Sequence, residues 1–252
     1  MLKYSKLAIV TALSMTLLAG CFGPKPEEEL YVAFENAAKQ EKTMFEDAKK
    51  LETLEKEGQE LYNQIVQEGK DNNQTVKEKL NQAVKNTDER EKVLKKEKES
   101  LNKAQEEVKS ADKYVKKIED KKLKDQADKV KSTYEKRHDS FNKMYDSYNK
   151  SLKQEKELYT MLQDKGTKLK DISEKVKVVN QSYKDIESEK DKFNEFTKSY
   201  NTEKIAFYKQ ANIKIKEEKN KTVWPTIGQT VYFFVIGTTI PWDRFTNFFS
   251  CF

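Results

Sequence analysis

Between Glu27 and Val223 the chain has no proline, and across that span glycine occurs only at Gly58, Gly69 and Gly166. The two residues that most readily interrupt a helix are thus nearly absent, and no glycine-rich phosphate-cradling loop can be drawn. Histidine is as scarce. His138 stands alone, so a histidine-based metal cluster is excluded and a serine triad would have to be built around that one side chain. It lies in Lys136-Arg137-His138-Asp139, a solvated helical stretch, and reads as a surface residue rather than a general base. Cysteine is limited to Cys21 and Cys251, which leaves no disulfide framework. Carboxylates are abundant, but they read as scattered on helix surfaces, without the burial that would tune them for acid–base work. No catalytic, cofactor-binding or metal-ligating residue is expected, and no enzyme. Long apolar runs are missing too: the one compact run in the first two hundred residues is Leu7 to Leu18, twelve residues, against roughly 20 needed to span a bilayer.

That short run has a context. Lys3 and Lys6 precede it, and Leu18-Ala19-Gly20-Cys21 closes it, giving the charged, apolar and small-residue parts of a secretory signal peptide over residues 1–20. The closing tetrapeptide resembles the lipobox of bacterial lipoproteins. The resemblance implies that Leu18, Ala19 and Gly20 are read by the signal peptidase. It also implies that the Cys21 thiol receives a diacylglyceryl group and becomes the first mature residue. Two acyl chains, such as palmitate, anchor stably where one is marginal. Gly23-Pro24-Lys25-Pro26 then favours an extended tether. Glu27, Glu28 and Glu29 suit the first turn of a helix, where the macrodipole is positive.

What fills the middle of the chain is charge: 37% of residues are charged and the mean hydropathy is −0.96. Such values alone suggest disorder, but the apolar residues keep strict register. Over residues 168–211 they are Leu169, Ile172, Val176, Val179, Tyr183, Ile186, Phe193, Tyr200, Phe207 and Ala211. These steps of three, four and seven trace one helical stripe. Leu123, Ala127, Val130, Tyr134, Phe141, Met144, Tyr148, Leu152, Tyr159 and Leu162 repeat it. So do Leu30, Phe34, Ala37, Met44, Ala48, Leu51, Gly58, Tyr62 and Ile65, thickened by Phe45, Leu54 and Leu61. Tyrosine and phenylalanine in these stripes are expected in the core rather than on a ligand platform. The segment from 74 to 120 is the poorest, because Thr87, Arg90 and Glu97 occupy slots where the stripe wants apolar side chains.

Gly69-Lys70-Asp71-Asn72-Asn73 reads as a loop, and Gly166-Thr167 as the end of one helix and the cap of the next. Near Glu119–Leu123 the phase slips with no glycine or proline to mark a turn. Four segments, 27–68, 74–120, 121–165 and 168–221, would each run about 65–75 Å at 1.5 Å per residue. Short connections make neighbours antiparallel. The expected architecture is all-α: an elongated up-and-down antiparallel four-helix bundle over 27–221 with coiled-coil-like packing. The alternative is three helices with a middle one of double length.

Charge is uneven along these segments. Residues 27–68 hold twelve acids and five bases, 74–120 thirteen bases and eleven acids, 121–165 twelve bases and eight acids, and 168–221 fourteen bases and ten acids. The simpler reading is an acidic helix packed among three basic ones, with interspersed signs blunting any long-range field. The sharper one is a basic face for anionic wall polymers or phospholipid headgroups.

"GCFGPKPEEELYVAFENAAKQEK" after the lipobox and "FYKQANIKIKEEK" near the end of the last helix resemble the YkyA-type cell-wall-binding lipoproteins of Gram-positive bacteria, a family whose wall-binding label is itself inferred. The resemblance covers Lys3 through Lys219. It implies a helical bundle, an extracytoplasmic lipoprotein and a wall association, and it brings no catalytic residues.

Residues 223–252, "VWPTIGQTVYFFVIGTTIPWDRFTNFFSCF", lose lysine and glutamate and gain threonine, phenylalanine and tryptophan. Family members are expected to stop sooner, so a frameshifted or rearranged gene end is the expected origin of this tail. Trp224 and Trp242 could flank a membrane span, but Pro225, Gly228 and Gly237 interrupt it. An outward-facing bundle would also reverse the positive-inside bias. The tail is therefore expected to lie against membrane or bundle without crossing. The overall expectation is a non-enzymatic rod, membrane-anchored through lipid on Cys21 at the extracytoplasmic face. It would bind an anionic wall polymer or, alternatively, act as a structural adaptor for an envelope protein complex. Export argues against nucleic acid as a partner, and no cofactor is implied.

Overall fold

The computed structural model describes residues 23–68 and 74–214. Lys25 is extended, and Pro26 opens α1 (Pro26–Gln40) at a position where its missing N–H costs nothing. Glu27, Glu28 and Glu29 occupy the first turn, and the Lys25 amide donates to the Glu28 carboxylate at 3.4 Å. This is the start expected from the tether. One bend at Glu41–Thr43 separates α1 from α2 (Met44–Glu68). There the Lys42 amide donates to the Lys39 carbonyl, and the Met44 amide to that of Glu41. The heptad Leu30, Ala37, Met44, Leu51, Gly58, Ile65 passes through the bend without losing phase, so α1 and α2 form one arm.

The second arm is α3 (Gln74–Ser110) followed by a single turn, α4 (Asp112–Val115). The chain then reverses over Lys116–Asp120 into α5 (Lys121–Gln163). The device that makes this turn is Asp120: its carboxylate accepts from the Leu123 amide at 2.7 Å, capping α5. That reversal excludes the arrangement with one double-length helix. α5 gives way to α6 (Leu169–Gln210) through a turn built on Asp164. The Asp164 carboxylate accepts from the Gly166 amide at 2.9 Å and the Thr167 hydroxyl at 3.2 Å. Thr167 therefore does not cap α6, as the sequence suggested; its hydroxyl is spent on the turn, and Lys168 stands at the N-cap without a side-chain bond. α6 closes earlier than expected. Asn212 takes a left-handed φ of 55°, Asn212 N–H donates to the Lys209 carbonyl and Ile213 N–H to that of Tyr208, the paired bonds of a Schellman ending.

Each arm packs antiparallel on its sequence neighbour, and α6 meets α1 through side-chain contacts. Tyr31 meets Tyr208 edge-on at 5.0 Å, and Phe34 meets Phe207 at 5.9 Å. Between α5 and α6 the heptad aromatics pair as rungs, Tyr134 with Tyr200 and Phe141 with Phe193. The product is the expected elongated four-helix bundle, its core a continuous seam from Leu30 to Tyr208. Of the residues assigned to the stripes, Leu169 departs: at the first turn of α6 it is exposed. No helix among the described residues is long and apolar enough to cross a membrane. The loop 69–73, the signal segment with Leu18, Ala19, Gly20 and Cys21, and the tail with Cys251 lie outside the described residues.

Candidate functional site: charged layers inside the bundle

The expectation that the carboxylates sit on helix surfaces is overturned. Continuing the apolar series by sevens along each arm leads onto charged residues that are buried: Glu41 and Glu55 after Phe34, Arg90 and Glu97 after Val76 and Ala83, Arg137 after Val130, Glu155 after Tyr148, Lys204 after Thr197. An ionised group in such a seam persists only when paired and hydrogen-bonded. All but one of these are hydrogen-bonded, in three layers along the axis.

In the layer nearest Pro26, the Tyr208 hydroxyl donates to Glu35 at 2.8 Å, and the Lys204 ammonium lies 3.5 Å from the same oxygen. Next, the Arg137 guanidinium grips Glu41 with two parallel bonds of 2.7 and 2.9 Å. Its Nε donates to Thr197 at 2.8 Å, and the Tyr134 hydroxyl adds a bond to Glu41 at 2.7 Å. The bend at Glu41–Thr43 falls where this carboxylate enters the core. In the third layer Arg90 donates to Glu155 at 2.6 Å and to the Tyr183 hydroxyl at 2.8 Å. Tyr183 and Tyr159 donate in turn to Glu155, and Tyr148 donates to Glu55. Arg90 and Glu97, misfits in the sequence of α3, thus belong to the core.

The electrostatics of these layers are compensated rather than poised. Burial, reinforced by Glu55, holds the Tyr148 hydroxyl well above the ordinary phenol range, and burial with Glu41 does the same for Tyr134. They act as neutral donors. Burial works to discharge Arg90, but Glu155 and the surrounding tyrosines outweigh it and keep the guanidinium charged. Lys204 is pulled below the usual ammonium range by burial, with Glu35 and Glu41 opposing. Gly58 makes room for the third layer: a Cβ there would come within 2.8 Å of Asn86 Oδ1, whose amide nitrogen donates to the Leu54 carbonyl at 2.8 Å. The cavity beside it, between Gly58, Tyr62, Arg90 and Glu155, measures about 10 Å³. That is space for one water and far short of the hundreds of Å³ a small-molecule site takes.

The exception is Glu97. It is fully buried, and neither carboxylate oxygen has a hydrogen-bond partner among the described residues. Burial, then Asp47 and Glu55, raises its pKa well above the ordinary carboxylate value, so it holds a proton where other carboxylates have lost theirs. His138 also differs from its sequence reading. It is half-buried between α3 and α5, its Nε2 lies 3.0 Å from Asn102 Oδ1 and its Nδ1 3.2 Å from Asn142 Nδ2. Burial lowers its pKa, making it a neutral spacer at a helix interface. No group of three or more His, Cys, Asp or Glu among the described residues is arranged to hold a metal.

Fold and interior together define an all-α rod in which most of the buried charged groups hold the four arms in register. The chain belongs to the YkyA family, described as "putative cell-wall binding lipoprotein", whose profile matches residues 25–210. The match begins one residue before α1 and ends on the last residue of α6. No curated protein and no solved structure matches the chain.

Proposed function

We propose that this protein is a non-enzymatic, lipid-anchored component of the cell envelope that binds an anionic wall polymer along the bundle surface. The observation that carries this reading is the family match, which covers the bundle from end to end. Leu18-Ala19-Gly20-Cys21 supplies the anchor: residues 1–20 act as the export signal, Cys21 takes the diacylglyceryl group, and residues 21–26 tether the bundle to the extracytoplasmic face. The buried carboxylates Glu41 and Glu155 are each held by an arginine and a tyrosine, which supports a structural use of the interior.

The test is co-sedimentation of the full chain with purified wall sacculi at rising salt. Retention should fall steeply, because exposed charges are screened within about 10 Å at 0.1 M ionic strength. Salt-independent retention, or none, together with a stoichiometric crosslinked protein in envelope fractions, would replace wall binding with an adaptor role.

A further inference from the structure

The topology places a local run of lysines at one end of the rod. Pro26, the end of α6 and the α4–α5 reversal all lie there, since α1 packs on α4 and Tyr208 packs on Tyr31. Within twelve residues this reversal carries Lys113, Lys116, Lys117, Lys121, Lys122 and Lys124. The first five are exposed and Lys124 is half-buried. None of the six takes part in an ion pair among the described residues, whereas lysines along the shaft do: Lys98 with Asp146, Lys131 with Asp112, Lys156 with Asp88 and Glu91. Three exposed acids at the same end have partners of their own. Asp112 pairs with Lys131, Asp120 caps α5, and Glu28 accepts from the Lys25 amide. Glu27, Glu29, Glu119, Asp125 and Asp128 are further counter-charges, but within residues 113–124 themselves the six lysines face only Glu119 and Asp120. Tyr114 stands beside Lys113, its ring centroid 4.8 Å from the ammonium.

We infer that this lysine cluster docks the foot of the bundle onto anionic lipid headgroups. The inference rests on the anchoring reading for its geometry. From Cys21 to Pro26 five residues reach at most about 18 Å fully extended, and a surface potential is felt over about 10 Å at 0.1 M salt. A bundle tethered so briefly holds its foot at or near the layer where the headgroup field acts. Clusters of four to eight lysines beside an anchor are the pattern that anionic membranes attract. Docking at the foot turns the rod outward and leaves the shaft free for the wall.

The full chain carrying Cys21→Ser, so that no acyl chain contributes, is floated with vesicles of phosphatidylglycerol and phosphatidylcholine or of phosphatidylcholine alone. Changing the six lysines to Gln should lower partition into the anionic vesicles at least tenfold and leave partition into neutral ones unchanged. Changing them to Arg should preserve it. A control with Lys150, Lys153, Lys165, Lys168, Lys170 and Lys184 changed to Gln, in the far half of the rod, should partition like the parent, and thermal melts should match throughout. Equal losses in the two Gln variants, or none, overturn the proposal. So does a foot variant that loses binding to soluble inorganic polyphosphate while keeping its vesicle partition. The outcomes separate from those of the anchoring reading: lysine-directed partition in a chain whose wild-type Cys21 proves unacylated sinks only the anchor, and lysine-indifferent partition in an acylated chain sinks only the docking.

Discussion

Glu41, at the one bend of the first arm, and Arg137, midway along α5, face each other across the core at 2.7 and 2.9 Å, ninety-six residues apart in sequence and both buried. Neither charge could occupy its position alone. Arg137→Met should cost about 3–5 kcal/mol, because it strands the Glu41 carboxylate. Glu41→Leu combined with Arg137→Met should cost less than either single change. Urea unfolding of the singles and the double measures this coupling; additive losses would show that the two do not depend on each other.

Glu97 has the opposite character, a carboxyl with no hydrogen-bond partner among the described residues. Its folded pKa is raised, so between the unfolded value near 4.5 and the higher folded value the native state binds more protons than the unfolded one. Stability contributed by this group is then full below about pH 4.5 and lost as pH rises. Glu97→Gln should flatten that part of the pH–stability profile. Glu97→Met, which also removes the unsatisfied oxygens, should stabilise by about 1–3 kcal/mol at neutral pH. A wild-type profile that climbs with pH in the same way as that of Glu97→Gln would place Glu97 outside the seam.

Helix count, antiparallel order and the core stripes were legible because heptads are local: each helix shows its own apolar face. Partners across the seam were not, because Arg90 and Glu155 come together only once three helices have taken a common register. A signal did exist. Stepping by sevens from Phe34 reaches Glu41 and Glu55, and from Val130 reaches Arg137, so a charged residue on a core position is the mark of a buried layer. The turn at Lys116–Asp120 showed only as a slip of phase near Glu119–Leu123, because its cap, Asp120, looks like the many surface acids. The bend at Glu41–Thr43 leaves no trace in the heptad, since the phase is unbroken.

Asp120→Ala removes the side-chain acceptor that starts α5. It should lower stability by about 0.5–2 kcal/mol, and Asp120→Asn should recover most of it. Thermal melting followed by circular dichroism reads both. An alanine variant that melts like wild type would mean that the reversal is held by Val115 and Ile118 packing alone.

Val179 is fully buried in α6. Val179→Asp places an unpaired charge in the seam and should destabilise by several kcal/mol. Its neighbour Val178 is exposed, and Val178→Asp should stay within about 0.5 kcal/mol. The pair differs by one position and one helical face, so comparable melting would disprove the assigned phase of α6.

The anchor is tested at one atom. If the Cys21 sulfur carries the diacylglyceryl group, Cys21→Ala removes the acceptor, and neither acyl transfer nor the cleavage that depends on it can follow. The variant should keep residues 1–20 or be released, take up no labelled fatty acid, and leave the membrane fraction. The bundle itself should melt unchanged, because the described core begins at Leu30. Equal labelling of variant and wild type would move the lipid elsewhere on the chain. Loss of label with undiminished membrane retention would instead point to the lysine foot or the apolar tail as the true attachment.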